Sequence, residues 1–166
     1  MRIRSLFLAA LAACLLAACA PTFNWRDYTS EDGAYRVMFP SKPASHTRNI
    51  DLGGIRVDMT MTGADVEGMA FIVGTALMPD AAQAQATLPA LRQALLRNID
   101  APDDAAAASP GAAALAVDAV TRNGKLRLVG RFVAKGARVY QVIVVGPPKT
   151  LPAEQVEQFL TSFAPQ

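Results

Sequence analysis

His46 is the single histidine in 166 residues, and the two cysteines are Cys14 and Cys19. One imidazole and two thiols cannot complete a four-ligand zinc site built from Cys and His. A lone imidazole with no Ser, Cys or Asp in a recognised nucleophile motif is more often an edge-of-core residue than a catalyst. No Gly-x-Ser-x-Gly elbow, phosphate loop, His-Glu-x-x-His or dinucleotide fingerprint occurs. The carboxylate pair Asp103-Asp104 sits in an Ala- and Pro-rich stretch without the rigid support that general acid–base work needs. Glycosidase chemistry would need two carboxylates across a cleft, and nothing in the sequence selects such a pair. The residue inventory therefore predicts a protein that is not an enzyme and has no cofactor or metal.

The residue with the clearest chemistry is Cys19. Met1-Arg2-Ile3-Arg4 is a short basic start, Ser5 to Ala18 is an apolar run, and Leu16-Ala17-Ala18-Cys19 closes it. This is the layout of a signal peptide, too short for a membrane-spanning helix of about 20 residues. The closing four residues resemble the bacterial lipobox, whose cysteine is lipidated on sulfur and becomes the first residue after cleavage; the alternative is a plain secretory signal with an incidental Cys. Acyl chains, at about 0.8 kcal/mol per buried CH₂, anchor stably once two or more are present. By resemblance to Gram-negative lipoproteins, Ala20 after the cysteine implies sorting to the outer membrane, with the domain facing the periplasm. The expected organisation is a lipoprotein signal over 1–18, a lipidated Cys and tether over 19–23, and one domain over 24–166. A tether this short reaches on the order of 15–20 Å, which holds the domain against the headgroups.

Cleavage changes the charge arithmetic. The whole chain carries 16 Lys+Arg and 14 Asp+Glu; Arg2 and Arg4 leave with the leader, and 148 charge-balanced residues remain. That balance excludes the basic footprint of a nucleic-acid binder. One local asymmetry survives: Arg122, Lys125, Arg127, Arg131, Lys135 and Arg138 fall within 17 residues. Two readings stand. One is a solvated strand face locally neutralised by Asp118, with an Arg stem over Tyr140. The other is a patch of Arg122, Lys125, Arg127, Arg131 and Tyr140 that meets anionic headgroups or an acidic partner, each base adding about 1 kcal/mol near such a surface.

The elements that position these residues are mostly strands. Trp25 to Tyr28 and Tyr35 to Phe39 are strand-like around the turn Ser30-Glu31-Asp32-Gly33. Gly53-Gly54 predicts a hairpin that sets Asp51 opposite Arg56, Ile50 opposite Val57, and His46 opposite Met61. Met69 to Met78 is apolar on both faces and reads as a central strand. A helix is expected from Asp80 to about Asn98 with Ala84, Leu88, Leu91 and Leu95 on one stripe. Pro89 either kinks it or marks its start at Thr87-Leu88-Pro89-Ala90. Residues 99–113 read as a long low-complexity surface loop. A meander follows from Leu115 to Val145, with turns at Asn123-Gly124 and Lys135-Gly136. It places Leu115 by Phe132, Val117 by Gly130 and Ala119 by Leu128, then Phe132 by Val139, Leu128 by Ile143 and Arg131 by Tyr140. A last helix opens at Thr150-Leu151-Pro152-Ala153 and shows Val156, Phe159, Leu160 and Phe163 on one stripe.

Short hairpin connections make such a sheet mostly antiparallel, and strands apolar on both faces need cover on both sides. The predicted fold is α+β, about seven strands with helices packed on them. The opening Trp25-x-x-Tyr28-x-Ser30-x-Asp32-Gly33-x-Tyr35-x-Val37-x-Phe39-Pro40 and the closing Phe159-x-x-Ser162-Phe163 resemble the PsbP/Mog1-like superfamily, including DcrB-type envelope lipoproteins. The resemblance implies an α/β/α sandwich and a protein-binding or assembly role, and it transfers no site. The expected function is a non-enzymatic binding or assembly module with a membrane anchor at Cys19 and an envelope protein partner. The alternative is a carrier of a lipid or small hydrophobic ligand, lined near Met59, Met61, Met69 and Gly130.

Overall fold

Alternating runs, together with the more continuously apolar Met69–Leu77 and Arg138–Gly146, lay down most of the nine strands among the described residues of the structure, a computed structural model that describes 22–102 and 114–166. They are β1 (Arg26–Ser30), β2 (Tyr35–Phe39), β3 (Ala44–Leu52), β4 (Ile55–Val66) and β5 (Met69–Leu77), then β6 (Ala114–Val120), β7 (Arg127–Lys135), β8 (Arg138–Gly146) and β9 (Ala164–Pro165). Helices α1 (Ala81–Asn98) and α2 (Ala153–Ser162) complete the order. The class is the expected α+β, with every strand pair antiparallel. In place of one sheet of about seven strands there are two: six strands in the order β3-β4-β5-β8-β7-β6 and three in the order β1-β2-β9. The leader, Cys19 and the Asp103-Asp104 pair lie outside the described residues.

The large sheet is apolar on both faces of its central strands, and each face has its own cover. On one side Met59, Ala76, Val139, Ile143, Leu128 and Phe132 pack beneath α1. On the other, Phe71, Val73, Tyr140, Val142 and Val144 meet α2 and the small sheet. The two terminal motifs, Trp25 to Pro40 and Phe159 to Phe163, lie at opposite ends of the described residues and converge on this second face. The Phe39 and Phe159 rings meet at a tilt with centroids 5.5 Å apart, Tyr35 and Phe163 likewise at 5.8 Å, and the Trp25 indole N–H donates to Gln155 Oε1 at 3.1 Å. The Met38 backbone N–H donates to Ser162 Oγ at 3.0 Å.

Turn chemistry fixes most of the pairing. Gly53 and Gly54 take φ of 68° and 91°, which glycine adopts without a Cβ clash. The hairpin they close pairs Asp51 with Arg56, Ile50 with Val57 and His46 with Met61, as expected. Around Asn123-Gly124 the three expected pairs of β6 with β7 also form, although the connection is a six-residue turn from Thr121 to Leu126. The β7–β8 turn corrects the expectation. Its two central residues are Gly136 and Ala137, so Phe132 pairs with Gln141, Leu128 with Val145, Arg131 with Val142, and Tyr140 with Val133. The slip is two residues, and because strand side chains alternate with period two, every residue keeps its face.

Helix α1 begins at Ala81, ahead of the alternative start at Thr87, and runs through Pro89. The Asp80 carboxylate explains the start: it accepts from the Gln83 backbone N–H at 2.8 Å and from Gln83 Nε2 at 3.0 Å. Leu96 rather than Leu95 completes the fully buried stripe with Ala84, Leu88 and Leu91. Beyond the helix, Ala101 is buried in the same core, so the first residues of the expected 99–113 loop are packed.

The two ends of the large sheet differ. The chain arrives at one of them, where the Asn24 backbone N–H donates to Pro40 O at 2.8 Å and Ser41 leads to Ala44. The β4–β5 and β6–β7 turns share this end, while the Gly53-Gly54 and Gly136-Ala137 turns lie at the opposite one.

Candidate functional site

Helix α1 lies mainly over β6, β7 and β8 and leaves part of the same sheet face over β3–β5 uncovered. The result is an elongated groove of about 680 Å³, within the 300–1,000 Å³ range usual for small-ligand sites. Its floor is Met59, Met61, Gly63, Ala70 and Ile72, with Gln141 rising from β8. Leu91, Ala94, Leu95 and Asn98 of α1 form one wall, and His46, Arg48 and Ile50 of the edge strand β3 form the other.

The floor is low because its residues are small or soft. Gly63 faces Ile72, Ala70 faces Asp65 and Gly74 faces Met61 along the β4–β5 pairing, and a Cβ at Gly74 would meet Gln141 Cγ at 2.6 Å and Met61 Sδ at 2.7 Å. Met61 adapts its shape through three rotatable bonds, and the buried Gln141 donates its amide to Met61 Sδ at 3.3 Å. The surface is apolar with polar groups confined to the rim and one amide in the floor. That pattern is suited to holding and orienting an apolar ligand.

Two of the four residues expected to line an apolar site do so. Met59 and Met61 are in the floor, whereas Met69 is buried on the opposite face of the sheet. Gly130 is sealed beneath its neighbours: a Cβ there would collide with the Val142 carbonyl oxygen and meet Ile143 Cγ2 at 2.7 Å. His46 stands at the rim opposite Met61. Leu91, Ala94 and Leu95 escaped sequence reasoning because an ordinary helical stripe carries them. The small residues Gly63, Ala70 and Gly74, on one face of neighbouring strands, were the available signal.

The basic strand face is dispersed. Arg127 forms a fork on Asp118, with Nε–Oδ1 at 2.9 Å and Nη2–Oδ2 at 2.6 Å. That bond holds the Asp118 carboxyl below its ordinary range and Arg127 above its own. Arg122 pairs with Asp100 at 3.2 Å. Arg131 turns inward: its Nη2 donates to Leu160 O at 2.6 Å, and its guanidinium lies over the Phe163 ring rather than over Tyr140. Lys135 Nζ donates to Pro165 O at 2.9 Å. Tyr140 is fully buried, its hydroxyl donates to Ala34 O at 2.9 Å, and burial raises its pKa. Of the five residues placed in the expected patch, Arg122 and Lys125 share one exposed turn, Arg127 stands beside it, and Arg131 and Tyr140 belong to the packing of α2 and the small sheet.

No family model, curated protein or solved structure matches the chain. Among the described residues no cluster of three or more His, Cys, Asp or Glu could hold a metal ion, and no helix is long and apolar enough to cross a membrane.

Proposed function

We propose that this protein is a lipid-anchored, periplasm-facing module of the outer membrane that binds without catalysing, and that the α1–β3–β5 groove is its binding site. The groove supports this reading: an elongated apolar concavity with a floor of small residues and methionines, open to solvent beside an edge strand. The lipobox-like Leu16-Ala17-Ala18-Cys19 supports the anchor. The PsbP/Mog1-like resemblance of the terminal motifs agrees with a binding role.

Two occupants were expected from sequence, an envelope protein or a lipid or small hydrophobic ligand. The concave floor favours the second, because protein–protein interfaces of standard size need about 800 Å² per partner and draw on aromatic anchors, and this groove contains no aromatic ring apart from the imidazole of His46. Native mass spectrometry of the gently extracted protein tests the reading. A bound apolar mass is expected, lost when Ala94→Trp places an indole in the groove. A consistently bare protein, with a cross-linked envelope protein contacting the same wall, would return the role to assembly.

A further inference from the structure

The groove has one closed end and one open end, and the open end is the one where the tether arrives. At the far end Leu52 and Val57 of the β3–β4 hairpin are buried in one core cluster with Ala84 and Leu88 of α1, which closes it. At the near end its lining is Ala44, Asp65, Ala70 and Asn98, of which Ala44, Asp65 and Asn98 are exposed. Asp65 is tied to the incoming chain, since its carbonyl accepts from Ser41 Oγ at 3.4 Å and Pro40 accepts from the Asn24 N–H at 2.8 Å. Five residue steps separate Asn24 from Cys19, a reach on the order of 15–20 Å. A domain anchored at Cys19 is therefore held with this end toward the bilayer.

The surface of that end suits the position. Of the three exposed large hydrophobic side chains among the described residues, Val120 and Leu126 flank the β6–β7 turn at this end, and only Leu77 lies at the other. Arg122 and Lys125 sit in the same turn. Asp100 neutralises Arg122, and Asp65 and Glu67 are exposed at the same end, so the apolar pair Val120 and Leu126, and not a basic charge, suits this end to a bilayer interface. The length of the groove also speaks to its occupant. It follows β3 from Ala44 to Leu52, roughly 26 Å at 3.3 Å per residue, which suits a flexible chain better than a compact ring system. Its volume accommodates roughly twenty water-sized groups at about 30 Å³ each, and a methylene occupies no more than a water.

We infer that the groove takes an acyl chain of a lipid directly from the membrane that anchors the protein, entering over the Asp65–Ala70 pair, between Ala44 of β3 and Asn98 of α1. This rests on the proposal that the groove is an apolar binding site and that Cys19 carries the anchor; what it adds is the source of the ligand and the direction of its entry. No bond is made or broken: the chain exchanges one apolar environment for another, so uptake needs no energy source.

The lipidated full chain, reconstituted in phosphatidylethanolamine/phosphatidylglycerol vesicles with a trace of phosphatidylethanolamine bearing an acyl-terminal diazirine, provides the test. Illumination is expected to label Met59, Met61 or Ile72. Labelling should fall about tenfold in Ala94→Trp, the change corresponding to roughly 1.4 kcal/mol, with vesicle association unchanged. If no groove residue is labelled while the soluble Cys19→Ser protein binds a fluorescent fatty acid, the groove is an apolar site but the membrane is not its source, and the inference falls alone. If groove residues of the Cys19→Ser protein are labelled from added vesicles but those of the lipidated protein are not, the occupant is the protein's own anchor and the inference is likewise overturned. If neither labelling nor fatty-acid binding occurs, the binding-site proposal falls with it.

Discussion

The Arg131 guanidinium lies 5.8 Å from the centroid of the Phe163 ring and donates to that residue's own carbonyl oxygen at 3.3 Å. The same Nη2 reaches Leu160 O at 2.6 Å, so one side chain of β7 caps the last turn of α2 and lies over the ring that follows it. Helix C-termini leave carbonyls without intrahelical partners and carry partial negative charge, so a partly buried cation there meets both needs. Arg131 is thus the joint between the large sheet and its second cover.

Replacing that joint should loosen α2. Arg131→Ala is expected to cost about 1–3 kcal/mol, because the caps are charge-assisted and partly buried. Arg131→Lys should recover part of the loss, keeping the charge but not the planar fork. Urea unfolding midpoints for the three proteins at pH 7 measure the order; equal midpoints for Ala and wild type would show that the caps contribute nothing.

Acid should act through Asp118. Arg127 holds its carboxyl below the ordinary value of 3.8, so the pair stabilises the fold at pH above that value. The contribution is lost as pH falls through the depressed folded value. The carboxylate and guanidinium are partly exposed, and Asp118→Asn should cost less than about 1 kcal/mol at pH 7. Unfolding curves of variant and wild type are expected to converge at the acid end and with added salt.

Alkali should act through Tyr35. Burial pushes its phenol from 10.0 up to about 12, against the opposing influence of the Thr62 and Ser30 hydroxyls. A folded pKa above the unfolded one means full stability below pH 10 and a loss as pH rises from there to about 12. The hydroxyl makes no well-formed hydrogen bond, so Tyr35→Phe should leave stability at pH 7 nearly unchanged. It should also flatten the alkaline decline, with the residual slope belonging to Tyr140, whose pKa is raised as well. Circular dichroism against pH for both proteins checks the pair of outcomes.

Two glycines that look alike in sequence should respond differently to a methyl group. At Gly130 the new Cβ would strike the backbone carbonyl of Val142, which cannot move without disturbing the β7–β8 pairing. Overpacking of this kind typically costs about 1–3 kcal/mol or more. At Gly74 the neighbours are the side chains of Gln141 and Met61, which can turn aside into the groove. Gly130→Ala should therefore lower the melting temperature more than Gly74→Ala, and only Gly74→Ala should reduce the groove's capacity for an apolar fluorescent probe.

Much of the frame is local chemistry and was legible without coordinates. Gly53-Gly54 fixes the β3–β4 pairing because both residues must take positive φ, whereas Pro89 leaves two starts open for α1 and only the Asp80 carboxylate on the Gln83 N–H decides between them. The apolar alternation of β6, β7 and β8 assigns each residue to a face. That same alternation could not place the β7–β8 turn, since a two-residue slip leaves every face unchanged. Only Gly136 at the first central position of the turn, with φ of 55°, decides the pairing.

What remained for the tertiary structure is everything that depends on partners distant in sequence. Six basic residues in 17 positions look like one patch. Arg131 instead finds carbonyls 29 and 32 residues away, Arg127 finds Asp118, and Tyr140 finds Ala34 across 106 residues. The groove is of the same kind: its floor comes from β4 and β5 and its walls from β3 and α1, and it exists because α1 sits mainly over β6–β8 and leaves part of β3–β5 uncovered. Periodicity states which face of an element is apolar. Which apolar face stays uncovered is settled only when the elements pack.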